Sequence, residues 1–315
     1  MSAPSTGRAF AVVAVDGSEE GYAAVRFAAE EAMRHGLALR LAHVIPVHVP
    51  VGPPLMLGAD VELGAYASET LASASRVVAD TAPHLHTTTH LLIGGRVSQV
   101  VGLARGASFI VVGRRPPSPH DRVWPGGTLD GIASRARCPV VVVPPHRARE
   151  GGPARVVAGF KSARSAPELF YAAFRTADEL GAELEVLHAW KLPGVYDDMI
   201  ARRVQEATWN REQRAVIWNL LGPWQESYPQ VRVRIGVRHE HPVRALVQAS
   251  RDADRLVIVK PLHGSAVHHL GRTARGVLRF AECPVHVAPA RSFDEMAVAP
   301  VAIEQAVEQA GELVT

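Results

Sequence analysis

Pairs of like residues recur at one fixed separation, and this internal repeat constrains the fold more than any other feature of the sequence. A repeat of this length indicates that one folding unit has been duplicated along the chain. The full length of 315 residues has room for two hydrophobic cores. The pairs 145 positions apart are His43 and His188, Gly126 and Gly271, and Cys138 and Cys283.

Each copy alternates apolar runs of strand length with helical patterns. The first copy predicts strands at 9–15, 38–45, 88–93, 109–113 and 140–143. The second predicts strands at 154–159, 183–189, 231–237, 255–259 and 284–288, with a long helix within 196–222. Strands that are apolar on both faces and joined by helical crossovers are typical of parallel sheets. The predicted fold class is α/β, with two tandem doubly wound domains, each a five-stranded parallel sheet with helices on both faces.

Breaks in the pattern give the domain limits. The first domain is predicted at 1–146 and the second at 153–290, and a polar, glycine-rich linker joins them. A tail follows at 291–315, with a short amphipathic pattern at 300–312 to which no role is assigned.

Charge and cysteine content exclude several classes of protein. Lys and Arg total 34 against 31 for Asp and Glu, and the charges are interspersed, so neither nucleic acid nor membrane is expected as a partner. Cys138 and Cys283 each begin the phrase Cys-Pro-Val, which indicates buried structural thiols in a reducing compartment. The first residues do not have the pattern of a signal peptide, and a cytoplasmic location is expected.

Polar residues at the ends of predicted strands give the candidate ligand site of the first copy. Asp16 follows the first strand, where a carboxylate could accept hydrogen bonds from an adenine amine or a ribose hydroxyl, or could simply cap the next helix with Ser18. Gly126-Gly127-Thr128 precedes a helix, where free amides favour phosphate, although this is also an ordinary helix cap. Arg114 and Arg115 could add positive charge or remain solvated.

The order of the motifs in the first copy resembles the order found in a known protein family. VAVDGS, AHVI, Gly95-Arg96-Val97, IVVG, a glycine-bearing loop and RCPVVVVP follow one another over nearly all of residues 8–145. This arrangement resembles a domain of the universal stress protein family, which implies an adenine nucleotide alpha hydrolase-like fold. The resemblance implies that ATP, with Mg²⁺, contacts Ala14, Asp16, Val44, Val112, Gly113, Gly126, Gly127 and Thr128.

The glycine loop departs from the pattern of the ATP-binding family members, which is Gly, two residues, Gly, nine residues, then Gly followed by Ser or Thr. Pro116 stands at the position of the second glycine and has no amide hydrogen to donate. Gly126 is followed by Gly127, so Thr128 lies one position beyond the Ser or Thr of the pattern.

The second copy departs further from that pattern. Lys161 stands at the aspartate position, Lys260 is predicted at the position of Gly113, and the following loop is predicted to be two residues shorter. The second copy is therefore not expected to bind ATP in the family manner, although Lys161, Lys260 and Arg272 could meet another anion. His263, His268 and His269 lie in the same loop without a carboxylate or cysteine beside them, and no metal site is predicted.

The resemblance implies a stress-response protein that senses ATP through the first domain, with the second as its structural pseudo-dimer partner. Family members pair through their last strands, so 140–143 and 285–288 are expected to run antiparallel, and a homodimer of the whole chain is a further option. The sequence offers no catalytic nucleophile, and at most slow, incidental ATP hydrolysis is expected.

Two other functions stay open at this point. The first is an interaction or scaffold protein that binds no nucleotide. The second is an adenylate-forming or ATP-pyrophosphatase enzyme, which needs an SGGxDS-type loop that VDGSEE lacks.

Overall fold

The structure is a computed structural model, and it describes residues 8–46, 59–116, 127–145, 151–191, 206–260 and 270–289, with the backbone alone for 59–62. The chain divides into two compact units, unit 1 (Met1–Pro145) and unit 2 (His146–Thr315). The tail at 291–315 and its amphipathic pattern lie outside the described residues.

Unit 1 contains the first copy of the repeat. Its strands are β1 (Phe10–Ala14), β2 (Ala38–Ile45), β3 (Thr87–Ile93), β4 (Ile110–Gly113) and β5 (Val140–Val143). Its helices are α1 (Glu19–Arg34), α2 (Ala59–Thr81), α3 (Arg96–Leu103) and α4 (Thr128–Arg135). Each strand lies within a few residues of its predicted position, because apolar periodicity and turn residues act locally.

Unit 2 repeats this order with different lengths. Its strands are β6 (Arg155–Phe160), β7 (Glu183–Trp190), β8 (Val233–His239), β9 (Arg255–Val259) and β10 (Val285–Ala288). Its helices are α5 (Ala166–Leu180), α6 (Glu206–Ser227), α7 (Pro242–Ser250) and α8 (Arg272–Phe280), with a 3-10 turn at Ala163–Ser165.

All strand pairs within each unit are parallel. The strand order is β3-β2-β1-β4-β5 in unit 1 and β8-β7-β6-β9-β10 in unit 2. Residues alternate along β1, so that Ala11 and Val13 belong to the core beneath α1 and α2 while Val12 is buried on the opposite face. The predicted fold class, two doubly wound α/β domains, is confirmed.

Helix α6 extends beyond its predicted end at residue 222 and continues to Ser227 through Pro223. Proline cannot donate the helical hydrogen bond to the residue four positions earlier, and this normally ends a helix. The next residue, Trp224, is only 1% exposed and packs edge-on against Phe170. Burial of this indole in the core of unit 2 favours continuation of the helix past the proline.

One contact between a histidine ring and a backbone carbonyl recurs in both units. The ring nitrogen Nδ1 of His43 lies 2.8 Å from the carbonyl oxygen of Val15, and that of His188 lies 3.2 Å from the carbonyl oxygen of Phe160. Burial lowers the pKa of His188, which this hydrogen bond partly offsets. The two histidines, which identified the repeat in the sequence, therefore hold the end of the first strand of each unit to the second.

The side-chain contact between the first and second strands differs between the two units. In unit 1 the guanidinium of Arg40 in β2 lies over the ring of Phe10 in β1, 3.5 Å from its centre. In unit 2 Arg155 replaces the phenylalanine, and it forms an ion pair with Glu185 of β7. Glu185 is 7% exposed and also lies 3.6 Å from Arg238 of β8.

Within the described ranges, every helix is too short or too polar to cross a lipid bilayer.

We expect Glu185→Ala to lower the free energy of unfolding by about 2 kcal/mol, because it leaves two guanidinium groups beside each other without their shared carboxylate. Urea denaturation followed by tryptophan fluorescence measures this, since four of the five tryptophans lie in unit 2. Glu183→Ala on the same strand is the control: its pair with Arg232 is long, at 3.9 Å, and exposed. Equal losses for the two variants would contradict the prediction.

Glu168 generates a pH-dependent prediction. This residue is 4% exposed in the first turn of α5, and its Oε2 has no hydrogen-bond partner among the described residues. Burial raises the pKa of Glu168, and a hydrogen bond from its own amide only partly offsets this. Because the folded-state pKa lies above that of the unfolded chain, the stability it contributes is present at low pH and is lost as the pH rises through the folded value.

Glu168→Gln should therefore raise the free energy of unfolding at pH 8, and this gain should shrink towards pH 4. The amide carries no charge, so the neutral variant avoids the cost of burying a carboxylate. Urea titrations at several pH values measure the difference, with Glu226→Gln on the exposed side of α6 as the control. A gain that does not change with pH would refute the assignment to ionisation.

Candidate functional site

The candidate site lies at the carboxyl edge of the sheet in unit 1. Strand β1 neighbours β2 on one side and β4 on the other, so the winding reverses between β1 and β4. Ligands bind at such reversals because loops and helix starts diverge there. The predicted contact residues near this edge are Ala14 at the end of β1, Asp16 after it, Val44 in β2, Val112 and Gly113 in β4, and Gly127 and Thr128 at the start of α4. Gly126 lies outside the described residues.

Asp16 contributes one carboxylate oxygen to the start of α1. Its Oδ1 accepts hydrogen bonds from the amide and the hydroxyl of Ser18, at 3.1 and 2.5 Å. The Ser18 hydroxyl oxygen in turn accepts from the amide of Gly21 and is the N-cap of the helix. The capping role considered for Asp16 is therefore performed by Ser18, and Asp16 orients that cap.

The second oxygen of Asp16 pairs with an arginine. Nη2 of Arg115, in the segment after β4, donates to Oδ2 at 2.8 Å, and both side chains are at least half exposed. Burial raises the pKa of Asp16, but the hydrogen bonds from Ser18 and the charge of Arg115 together outweigh it and hold the pKa below its ordinary value. Asp16 is therefore an anion at neutral pH.

Tyr66 of α2 belongs to the same edge, although no motif in the sequence points to it. Its hydroxyl donates to the carbonyl oxygen of Asp16 at 3.3 Å, and its ring meets that of His43 edge-on. Gly17 beneath it has φ of +81°, and a Cβ there would lie 2.5 Å from the Tyr66 hydroxyl. Tyr66 as a whole residue is 55% exposed. Local sequence carries no signal for this contact, because Tyr66 lies 50 positions from Asp16.

Gly113 allows strand β4 to approach α1 closely. A Cβ on Gly113 would lie 2.4 Å from the carbonyl oxygen of Glu20, which is backbone and cannot move aside easily. Gly21 similarly leaves room for Oδ1 of Asp16, only 2.6 Å from where its Cβ would be. The absence of a side chain at these two positions allows β4, α1 and the carboxylate to pack closely. This structural role does not depend on a bound phosphate.

The start of α4 supplies the second polar feature of the edge. Gly127 is the N-cap, and no side chain among the described residues caps this helix. The first amides of an α-helix lack partners within the helix, and at this edge they favour an anion. Asp130 also lies in the first turn and adds negative charge beside those amides.

Unit 2 has a basic residue where unit 1 has its carboxylate. Lys161 follows β6 where Asp16 follows β1, and Arg272 opens α8 where unit 1 has glycine and threonine. Burial lowers the pKa of Lys260, which directly follows β9.

Within the parts of unit 1 and unit 2 that the structure describes, no three His, Cys, Asp or Glu residues are grouped to hold a metal. His263, His268 and His269 lie outside those parts.

The strand register corrects one prediction by a single residue. Gly113 pairs with Val143 of β5, and Val259 pairs with the equivalent Ala288 of β10, so Val259 rather than Lys260 matches Gly113. Lys260 matches Arg114, because the amide of Arg114 donates to the carbonyl oxygen of Val143 and the amide of Lys260 donates to that of the equivalent Ala288. The segment up to the Cys-Pro-Val phrase is thus shorter in unit 2 by one residue, not two. A count along the sequence could not reveal this, because only the strand pairing shows which residue of β9 is equivalent to Gly113.

Comparison with known proteins agrees with the fold of both units. The model of the universal stress protein family matches residues 11–144 and again 154–289. A universal stress protein of Mycolicibacterium smegmatis is 30% identical over 88% of this chain and 95% of its own length. One from Mycobacterium tuberculosis strain H37Rv is 30% identical over 88% and 96%.

A solved structure also matches both units. A universal stress protein from Archaeoglobus fulgidus, 18% identical, aligns over 89% of this chain and 98% of its own with a TM-score of 0.60, a likeness of fold. With the family model matched in each half and relatives aligned over most of their length, the chain belongs to the universal stress protein family as a protein with two such domains.

Proposed function

We propose that this protein is a cytoplasmic stress-response protein that senses an adenine nucleotide, ATP in the first instance, at the carboxyl edge of unit 1. The observation that carries the proposal is Asp16. This carboxylate is ionised, half exposed and oriented by Ser18 at the point where the sheet reverses its winding. A carboxylate so placed can accept hydrogen bonds from a ribose or an adenine amine.

The phosphate end of the nucleotide would meet the start of α4. The amides after Gly127 and the hydroxyl of Thr128 can donate to phosphate oxygens, and Gly126 remains a predicted contact. Asp130 and Pro116 oppose a large negative charge there, since one repels it and the other lacks an amide. Mg²⁺ bound to the phosphates would offset part of that repulsion.

Unit 2 would act as the structural partner of unit 1 and not as a second nucleotide site. Lys161 in place of Asp16 removes the acceptor for the sugar or base, and the side chain of Val259 occupies the position of Gly113. We expect any hydrolysis of ATP to be slow and incidental. The prediction that 140–143 and 285–288 pair as antiparallel strands belongs to this proposal.

One observation favours a second candidate function, that of an interaction protein that binds no nucleotide. Arg115 already pairs with Oδ2 of Asp16, so the acceptor has a partner in the absence of any ligand. The two candidates differ in whether the intact chain binds ATP at all.

Calorimetric titration of ATP with Mg²⁺ into the full chain should give one site per chain. Asp16→Ala and Asp16→Asn should weaken binding by about tenfold to a hundredfold, the value of a hydrogen bond to a charged group. Asp16→Asn keeps an oxygen that can accept from Ser18, so a loss in both variants is not a failure of the helix cap.

Lys161→Ala is the matched control, because it changes the equivalent position of unit 2 and should leave ATP binding unaltered. Circular dichroism on all variants checks that each is folded. No heat of binding for the unmutated chain would reject the nucleotide sensor and favour the interaction protein.

A further inference from the structure

Three of the acceptor positions on Asp16 are already taken. A carboxylate offers about four such positions, two on each oxygen. Oδ1 accepts two hydrogen bonds from Ser18, and Oδ2 accepts one from Arg115. A ribose presents two neighbouring hydroxyl donors, which both need an oxygen lone pair. The sugar can therefore bind Asp16 through both hydroxyls only if Arg115 leaves.

Arg115 is placed to exchange partners. It lies two residues after the end of β4 and is exposed over 67% of its side chain, so no packing fixes the guanidinium on Asp16. Strand β4 is the neighbour of β1, and α4 begins at this same edge. A phosphate received by the amides of α4 would offer the guanidinium a doubly charged partner, with which arginine forms two parallel hydrogen bonds.

The two members of the ion pair are also lost together in unit 2. Lys161 replaces Asp16, and because Lys260 matches Arg114, the residue that matches Arg115 in the sequence is Pro261. The copy without the carboxylate thus also lacks the arginine. Joint loss of the two residues is expected if Arg115 acts together with Asp16. An arginine that is only solvated would not be expected to be lost together with the aspartate.

We propose that Arg115 makes the unit 1 site selective for phosphorylated ligands, by holding Asp16 in the empty site and moving to the phosphate of a bound nucleotide. An unphosphorylated nucleoside must break the ion pair without replacement. A nucleotide replaces it with a guanidinium–phosphate pair. The inference rests on the proposed nucleotide binding and adds the residue that distinguishes nucleotide from nucleoside.

The test is a titration of adenosine, AMP and ATP into the full chain and into Arg115→Gln. Exposed ion pairs are weak, so the variant should bind adenosine about twofold to fivefold more tightly than the unmutated chain. It should bind AMP and ATP about tenfold more weakly, because the charged donor to phosphate is gone. The preference for AMP over adenosine should therefore collapse.

Arg76→Gln is the matched control, since Arg76 forms an equally exposed pair with Glu69 at 2.7 Å on α2 and should change no affinity. In the unmutated chain, added salt should strengthen adenosine binding and weaken AMP binding. If Arg115→Gln lowers both affinities alike or leaves their ratio unchanged while ATP still binds, Arg115 has no such role and the nucleotide site stands. If neither protein binds any of the three ligands, the site and this inference both fall.

Discussion

Parallel pairing of the strands within each unit is the constraint on which the rest of the structure depends. A parallel strand can be reached only by a crossover, so each unit must place helices over its sheet, and all strands end at one edge. In unit 1 the reversal between β1 and β4 brings the start of α1 and the start of α4 to that edge. Gly113 lets the two layers meet there, because a side chain would collide with the backbone of α1.

Duplication has preserved the scaffold and changed the chemistry. The histidine bonds of His43 and His188 recur at the repeat spacing. Gly131 and Gly276 likewise let each unit's fourth helix touch a valine of its third, Val97 or Val243. The edge residues are not preserved, since Asp16 gives way to Lys161. Packing contacts between strands and between helices thus recur, while the carboxylate available to a ligand in unit 1 is replaced by an ammonium group in unit 2.

Much of the fold could be predicted from the sequence, because periodicity, helix caps and turn residues act over a few positions. The exceptions were places where tertiary packing or strand pairing decided the outcome. Helix α6 continues through Pro223 because Trp224 is buried in the core. The shift between Lys260 and Val259 arose because pairing along the strands, not distance along the chain, decides which residues correspond.

The sequence by itself determined that the chain contains two copies of a doubly wound α/β domain and that Asp16, Gly113 and the start of α4 lie at one edge. These follow from local patterns and from the rule that parallel strands end together. Only the tertiary structure decided what Asp16 contacts: Arg115, 99 positions away, and the hydroxyl of Tyr66, 50 positions away. Side chains so distant in sequence meet through the crossovers, and no pattern of neighbouring residues records which of them will touch.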